Sequence, residues 1–390
     1  MPNSSSTVYL DHGATTPMDP RVLEAMQPFF HEDFGNPVSV HSLGQSAEAA
    51  LENARQRFAK QLNILPEEII FTSGGTESDN LALRGVAFAA RKNRGANHIL
   101  ISSVEHDAVA RTAEQLAEIH EFEVELIPVD AFGQVQPADV ASRIRSDTAL
   151  VSIVLANNEV GTISPLREIS EICKKHNIPL HSDAVQAGAY LAMDMQKLGA
   201  DMLSLGAHKF YGPKGAGVLY LREGTDIVPI QTGGSHEHGL RAGTQNTAYI
   251  AAMALAYEIV QSDIEKRAAQ LQELRDQIIT KVLATIPDVK LSGHPSERLP
   301  NHASFVFRGV DGNALLMLLD SAGFACSSGS ACKTGDPEPS EILTAMGLER
   351  DWALGSLRVT VGVHSQSEDI DAFLDALPEI VERTRALETA

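Results

Sequence analysis

Along the first half of the chain, short apolar runs alternate with longer stretches in which apolar residues recur every three or four positions. Runs at 68–73, 98–103, 123–129, 149–156, 178–183, 202–205 and 217–222 predict strands. The run at 149–156 is apolar at nearly every position, as a parallel strand buried on both faces requires. Stretches at 74–91 and 166–176 carry the helical period. Strand followed by helix, repeated from 68 to 222, predicts an α/β fold with a mainly parallel sheet covered by helices. Ahead of it lie an extended arm at 8–11, a helix at 21–30, and an amphipathic helix opening at Ser46 and closing at Leu62. Beyond it, 248–286 is helical throughout, and 301–307 and 357–361 alternate as half-buried strands of a second sheet. At 390 residues the chain suits two domains: a large one over 17–262, and a smaller α+β one made of 1–16 with 263–390.

Open α/β sheets place their ligands at the carboxyl ends of the strands. The run at 202–205 ends in Gly206-Ala-His208-Lys209 and a turn rich in Gly and Pro. A lysine delivered there by a buried strand is costly unless it is neutralised, paired or used covalently. The run before it ends in Asp183. An acid and an amine on successive strand ends suggest a pyridoxal phosphate site. In that chemistry the amine forms a Schiff base with the cofactor, and the acid keeps the pyridine nitrogen protonated. Gly74 and Gly75 lead into a helix whose free N–H groups form a phosphate cradle, and Thr76 with Asp79 fits a capping box. His106 ends another strand, either as a ring that stacks on a cofactor and shuttles protons or as an exposed helix cap. Asn157 and Asn158 end a third.

Composition narrows the field. A net charge of −20 opposes general binding to nucleic acid or anionic membranes. No apolar run approaches a membrane span, and the start lacks the regions of a signal peptide. Three cysteines rule out a disulfide framework and suit a reducing cytosol, so a cytoplasmic protein is expected. Cys332 lies in a small, polar run that cannot bury itself, and Lys333 beside it favours the thiolate. Cys173 and Cys326 read as core residues. His236, Glu237 and His238 invite a metal, but no further ligand cluster supports one, and none is expected.

Several motifs stand together in one order: Tyr9-Leu-Asp-His-Gly-Ala-Thr-Thr-Pro17, Phe71-Thr-Ser-Gly-Gly-Thr-Glu-Ser78, Glu105-His106, Asn157-Asn-Glu-Val-Gly161, Asp183-Ala-Val-Gln186, His208-Lys209, Arg241-Ala-Gly-Thr244 and Ser327-Ser-Gly-Ser-Ala-Cys332. Over essentially the whole chain this set resembles cysteine desulfurases of the NifS/IscS type, in the class V aminotransferase group of fold-type I pyridoxal phosphate enzymes. The resemblance implies that Lys209 carries pyridoxal 5′-phosphate, Asp183 pairs with its ring nitrogen, Gln186 bonds its ring hydroxyl and His106 stacks on it as acid or base. Gly75, Thr76 and His208 would hold the phosphate, with Thr244 reaching across from the other subunit of a homodimer. Asn158 and Arg358 would bind the carboxylate of L-cysteine, Arg358 through a bidentate pair. Cys332, on a catalytic loop at about 325–340, would take the sulfur as a persulfide, leave alanine, and pass the sulfur to an iron–sulfur scaffold or to tRNA thiolation. It is also the residue that would ligate a persulfide or an iron–sulfur species. The alternatives are a lyase releasing sulfide or selenide and a sulfur-trafficking protein without catalysis. Gly206 stands where many members have Ser, Val363 where an arginine is common, and His12-Gly13 differ from the usual pair.

Overall fold

The computed structural model describes residues 7–329 and 338–388. In chain order its strands are β1 (Val8–Tyr9), β2 (Ile69–Thr72), β3 (His98–Ser102), β4 (Glu123–Ile127), β5 (Thr148–Ser152), β6 (Leu180–Asp183), β7 (Met202–Gly206), β8 (Gly217–Leu221), β9 (Val289–Leu291), β10 (His302–Phe307), β11 (Phe324–Ala325) and β12 (Ser356–Thr360). The helices as far as residue 285 are α1 (Pro20–Met26), α2 (Pro28–His31), α3 (Ser42–Leu62), α4 (Gly75–Arg94), α5 (Asp107–His120), α6 (Pro137–Arg143), α7 (Leu166–His176), α8 (Met195–Leu198), α9 (Thr247–Ser262) and α10 (Ile264–Thr285).

Among the described residues, seven strands form one sheet in the order β2-β8-β7-β6-β5-β3-β4. Its pairs are parallel except those of β8, which runs against both β7 and β2. The reason lies in the connection. Residues 207–216 are too few for the helical crossover a parallel return needs, so the chain doubles back. Strands β2, β3, β5, β6 and β7 are buried at every position, with helices on both faces. A second sheet has the order β12-β10-β9, and β1 pairs in parallel with β11. No described helix is long and apolar enough to cross a membrane.

Some expectations need correction. The helix placed at 46–62 begins at Ser42, because His41 caps it by accepting from the Gly44 amide. The helix at 21–30 is two, broken at Gln27 where Pro28 opens a new turn. The stretch at 248–286 breaks at Asp263, whose φ of −123° and ψ of 28° leave the helical region. Strands β10 and β12 are buried throughout rather than half-buried. Their alternation marks two apolar environments, since Val306 packs with Ile342, Leu343 and Met346 while Phe305 joins the main core. The Thr76–Asp79 capping box does not form. Gly74 is the N-cap of α4, Thr76 lies within the helix, and Asp79 is buried.

Three features bring distant segments to the carboxyl ends of the parallel strands. The arm after β1 bridges Asp11 to Thr360 beside β12. It then reaches the turn beyond β7, where the Thr16 amide donates to His208 O at 2.9 Å and Thr16 Oγ1 accepts from the Tyr211 amide at 2.8 Å. Phe210 packs edge-on against Tyr257 of α9 at 5.2 Å, and Tyr257 stacks on Phe58 of α3 at 4.9 Å. That aromatic set pins the residue after Lys209 to two helices. Phe210→Ala is therefore expected to cost about 3–5 kcal/mol, the price of emptying a buried aromatic site. Chemical denaturation of the variant would measure this, and a loss below about 1 kcal/mol would show that the site does not depend on Phe210 packing.

Candidate active site

A cavity of about 360 Å³ opens where these segments meet. It is lined by Gly75, Thr76 and Asp79 of α4, His106, Asn158, Asp183, Gln186, His208, Lys209, Arg358, and Gly13 and Ala14 of the arm. Nine residues singled out from the sequence thus line one cavity. Thr244 does not; it lies exposed on the loop before α9. Cys332 lies outside the described residues. A second cavity of about 550 Å³ also has His106 and Asn158 in its wall. Gly329 and Glu338, which flank the segment holding Cys332, border that second cavity.

Lys209 follows the end of β7. Its Nζ donates to Gly13 O at 2.5 Å and to Ala14 O at 2.9 Å. Burial, with Arg358 nearby, lowers its pKa to about 8, against the opposing pull of Asp183 and Asp11. Asp183 ends β6, and its Oδ1 accepts from the Val185 amide at 2.8 Å. Burial and then Asp79 push this carboxyl up to about 6. A cation placed against it would restore the anion. Of the two readings of His106, the structure shows the exposed helix cap. It is the N-cap of α5, and it faces the cavity. Because Nδ1 accepts from the Ala108 amide at 3.1 Å, the proton of the neutral ring sits on Nε2.

The opposite wall belongs to the start of α4. Among the described residues no side chain caps this helix, so its first amides face the cavity without a competitor. A Cβ at Gly75 would stand 2.5 Å from Val185 Cγ2, and one at Gly217 would stand 2.5 Å from the Gly74 carbonyl carbon. Glycine at both positions lets the turn before α4 lie flat on the sheet end. His208 completes this side; Nδ1 pairs with Thr15 Oγ1 at 3.2 Å, and burial lowers its pKa to about 4, so the ring is neutral. On the remaining side, Arg358 donates from Nη1 to Asn158 O at 2.9 Å and from Nη2 to Asp11 Oδ1 at 2.9 Å. Asn158 Oδ1 is buried with no hydrogen-bond partner among the described residues, which suits an absent ligand.

Sequence reasoning missed the part played by four residues. Asp11, Gly13 and Ala14 belong to the 9–17 motif, but that motif assigned none of them a part in the site. Asp79, read as a cap, is a second buried carboxyl in the cavity wall, raised by burial to about 7. Its 3.5 Å approach to His181 is not an ion pair, since burial lowers that ring to about 4. Glu237, one of the three residues that invited a metal, is committed to Arg55. Among the described residues no cluster of three His, Cys, Asp or Glu is placed to hold a metal.

This geometry belongs to a known class. Residues 8–373 match the model of the aminotransferase class-V family, and the chain is a member of it. It is 46% identical over 380 residues to a protein of Dictyoglomus turgidum named cysteine desulfurase IscS, covering 97% of this chain and 96% of that one. A solved structure described as a NifS-like protein superposes with a TM-score of 0.90 at 37% identity, covering 97% of this chain and all of that one. Another, described as SspA in complex with cysteine, superposes with a TM-score of 0.80 at 34% identity, covering 91% and 99%. The family implies pyridoxal phosphate, and the residues fit it. An amine that can deprotonate, a carboxylate opposite and an uncapped helix start are the donor set such a group needs.

The amine of Lys209 in the apoprotein should titrate near pH 8. Burial disfavours the ammonium, so the neutral, reactive form predominates above that pH and disappears below it. The pH dependence of reductive methylation at Lys209, followed by peptide mass spectrometry, should give that midpoint. Asp183→Asn removes a group that favours the ammonium and should move the midpoint lower still. A midpoint above 10 would mean that the amine is solvated.

Proposed function

We propose that the chain is a pyridoxal-phosphate-dependent cysteine desulfurase, converting L-cysteine to L-alanine and storing the sulfur as a persulfide on Cys332. The observation that carries this reading is Lys209 and Asp183 facing one cavity whose far wall is an uncapped helix start. The cysteine desulfurase names of its relatives supply the substrate.

When bound, pyridoxal phosphate supplies an electron-accepting ring that makes the Cβ–S bond of cysteine labile. Lys209 would hold it, Asp183 would face its ring nitrogen and Gln186 its ring hydroxyl, while Gly75, Thr76 and His208 would take the phosphate. Arg358 and Asn158 bind the substrate carboxylate, and the contacts to Asp11 and to Asn158 O keep the guanidinium from turning away. Lys209, with its lowered pKa, takes and returns the proton at the substrate α-carbon. His106 moves a proton at Nε2. The Cys332 thiolate attacks the substrate sulfur. A Cβ–S bond breaks, an S–S bond forms on the protein, and protonation of the remaining carbon completes alanine, so that one thiol and one cysteine become one persulfide and one alanine.

The assembly is a homodimer in which Thr244 of one protomer meets the phosphate of the other. Phe30, Phe34, Val38 and Val40, close together in the chain, are all exposed, and Phe30 touches Tyr249 in the first turn of α9. Such an apolar surface favours a partner, here a second copy. The sulfur passes to a scaffold for iron–sulfur clusters or to tRNA thiolation. A reactive thiol and few cysteines agree with a cytoplasmic location.

Two measurements test this. Replacement of Cys332 by Ala should abolish alanine formation from free cysteine, and mass spectrometry of the wild type after cysteine should find one added sulfur on Cys332. Sulfide and pyruvate released at the wild-type rate by the variant would establish a lyase instead. The second concerns Gly206. A Cβ there would meet Val185 Cγ1 at 3.4 Å and the Gly75 amide at 3.5 Å, close to ordinary contact. Gly206→Ser should fold and add a hydroxyl beside the cradle, slowing cofactor release by roughly fivefold to tenfold, the worth of one hydrogen bond. Faster release would show that the cradle has no room for the hydroxyl.

A further inference from the structure

Residues 231–246 form a loop that is exposed along most of its length, yet the side chain of Glu237 within it is fully buried. A buried carboxylate in an exposed loop needs a strong partner. Arg55 of α3 supplies it, with Nη2 3.2 Å from each carboxylate oxygen and the guanidinium 4.8 Å from the centre of the Phe71 ring. The Phe71 amide on β2 donates to Oε2 at 2.9 Å, and Gln245 Nε2 donates to Oε1 at 3.3 Å. Glu237 and His238 have φ angles of 48° and 57°, left-handed for residues with side chains, which persists only where the surroundings impose it.

A second tether holds the descending arm of the loop. Arg241 donates from Nε to Glu77 Oε1 at 2.7 Å and from Nη2 to Glu77 Oε2 at 3.3 Å. Glu77 also accepts from the Ser73 amide at 2.7 Å. The same carboxylate therefore fixes the turn that leads into Gly75 and Thr76 of the phosphate cradle. Both tethers join the loop to the β2–α4 unit. Neither carboxylate lines the cavity.

We propose that Glu237 and Glu77 are positioning residues that hold this loop in register with the cradle of its own protomer, so that Thr244 is presented to the cofactor phosphate of the partner. The assignment rests on the dimeric reading above. Two carboxylates in one protomer thereby set the geometry of a contact made in the other.

The test compares holoenzymes of Thr244→Val, Arg241→Met, Arg241→Lys and the double variant Arg55→Met/Glu237→Gln, which strands neither buried charge. Cofactor release is followed by absorbance after dilution, loop exposure by limited proteolysis within 231–246, and fold by melting of the apoprotein. Release should quicken about tenfold in Thr244→Val, Arg241→Met and the double variant, the size of one charge-assisted hydrogen bond. Arg241→Lys should fall between Arg241→Met and wild type. Proteolysis should rise in Arg241→Met and the double variant but not in Thr244→Val, with the apoprotein Tm of Arg241→Met unchanged. Fast release from Thr244→Val beside wild-type release from Arg241→Met and the double variant overturns the positioning role alone. Wild-type release from Thr244→Val overturns the dimeric reading, and the proposal with it. If the double variant fails to fold, Arg241→Met decides, and a fall in its apoprotein Tm that accounts for its release overturns the proposal.

Discussion

An amine buried at the end of a parallel strand is the constraint to which the rest of this structure answers. Lys209 cannot keep its full charge in a low-dielectric cavity without partners, and its neighbours supply only part of what water would. Two carbonyls of the arm, Gly13 and Ala14, accept its hydrogens, and Asp183 and Asp11 favour its charge, while burial and Arg358 oppose it. The balance brings the pKa down to about 8, so that a substantial minority of the amine is neutral near physiological pH. That is the condition a nucleophilic lysine requires, since an ammonium has no lone pair to give. The fold sustains this state by packing. Phe210, next in the chain, is held by Tyr257, and the turn cannot swing outward to solvate the amine without emptying that site.

The arm that supplies the two carbonyls also ties the two sheets together. Asp11 reaches Arg358 of β12, Gly13 and Ala14 reach Lys209 beyond β7, and Gln186 donates to Gly13 O at 2.6 Å. Four residues of the arm, 11–14, thus reach Arg358, the amine and Gln186. Loss of any one of these contacts displaces the others, because the arm has no regular structure of its own through which to resist. Glu159 adds a further link on the substrate side. It is buried beside Arg358, its pKa is raised by burial to about 7, and it accepts from Ser340, the N-cap of the helix Glu341–Ala345.

Much of this was legible in the sequence because strand ends announce themselves. Apolar runs closing on Asp183, His106, Asn158 and Lys209 placed four polar groups at equivalent depths of one sheet, and the sheet edge gathered them. The glycines before α4 were legible for the same reason. Residues that act through the backbone were not. The Gly13 and Ala14 carbonyls are invisible to any reading by side-chain type, and β8 reversed direction because of a connection length rather than its own composition. Asp79 was misread because a carboxylate three residues beyond a threonine fits a local cap, whereas the tertiary structure uses Gly74 as cap and turns Asp79 inward. The kink at Asp263 had no proline or glycine to mark it, and the role of Glu237 was hidden because its partner Arg55 lies 182 residues away.

Asp79 also explains a polar row inside an otherwise apolar sheet. Ser152 of β5, His181 of β6 and Ser204 of β7 are fully buried, and the ring bonds Ser152 Oγ at 2.8 Å and Ser204 Oγ at 3.0 Å. With His181 held neutral it has one proton for two hydroxyl neighbours, so the row runs in one direction: a hydroxyl donates to one ring nitrogen and the other ring nitrogen donates onward. Ser204 also bonds Asp79, which makes the carboxyl one end of the row. Two carboxyls, Asp79 and Asp183, then share a cavity, and Asp79 penalises the charge of Asp183. Of the two, Asp183 is the one assigned to face a protonated ring nitrogen should pyridoxal phosphate bind, and Asp79, whose carboxyl burial raises to about 7, is the easier to leave protonated. The row of hydroxyls and imidazole gives this second carboxyl a hydrogen-bond partner in Ser204 far from water, and so helps the sheet tolerate it there.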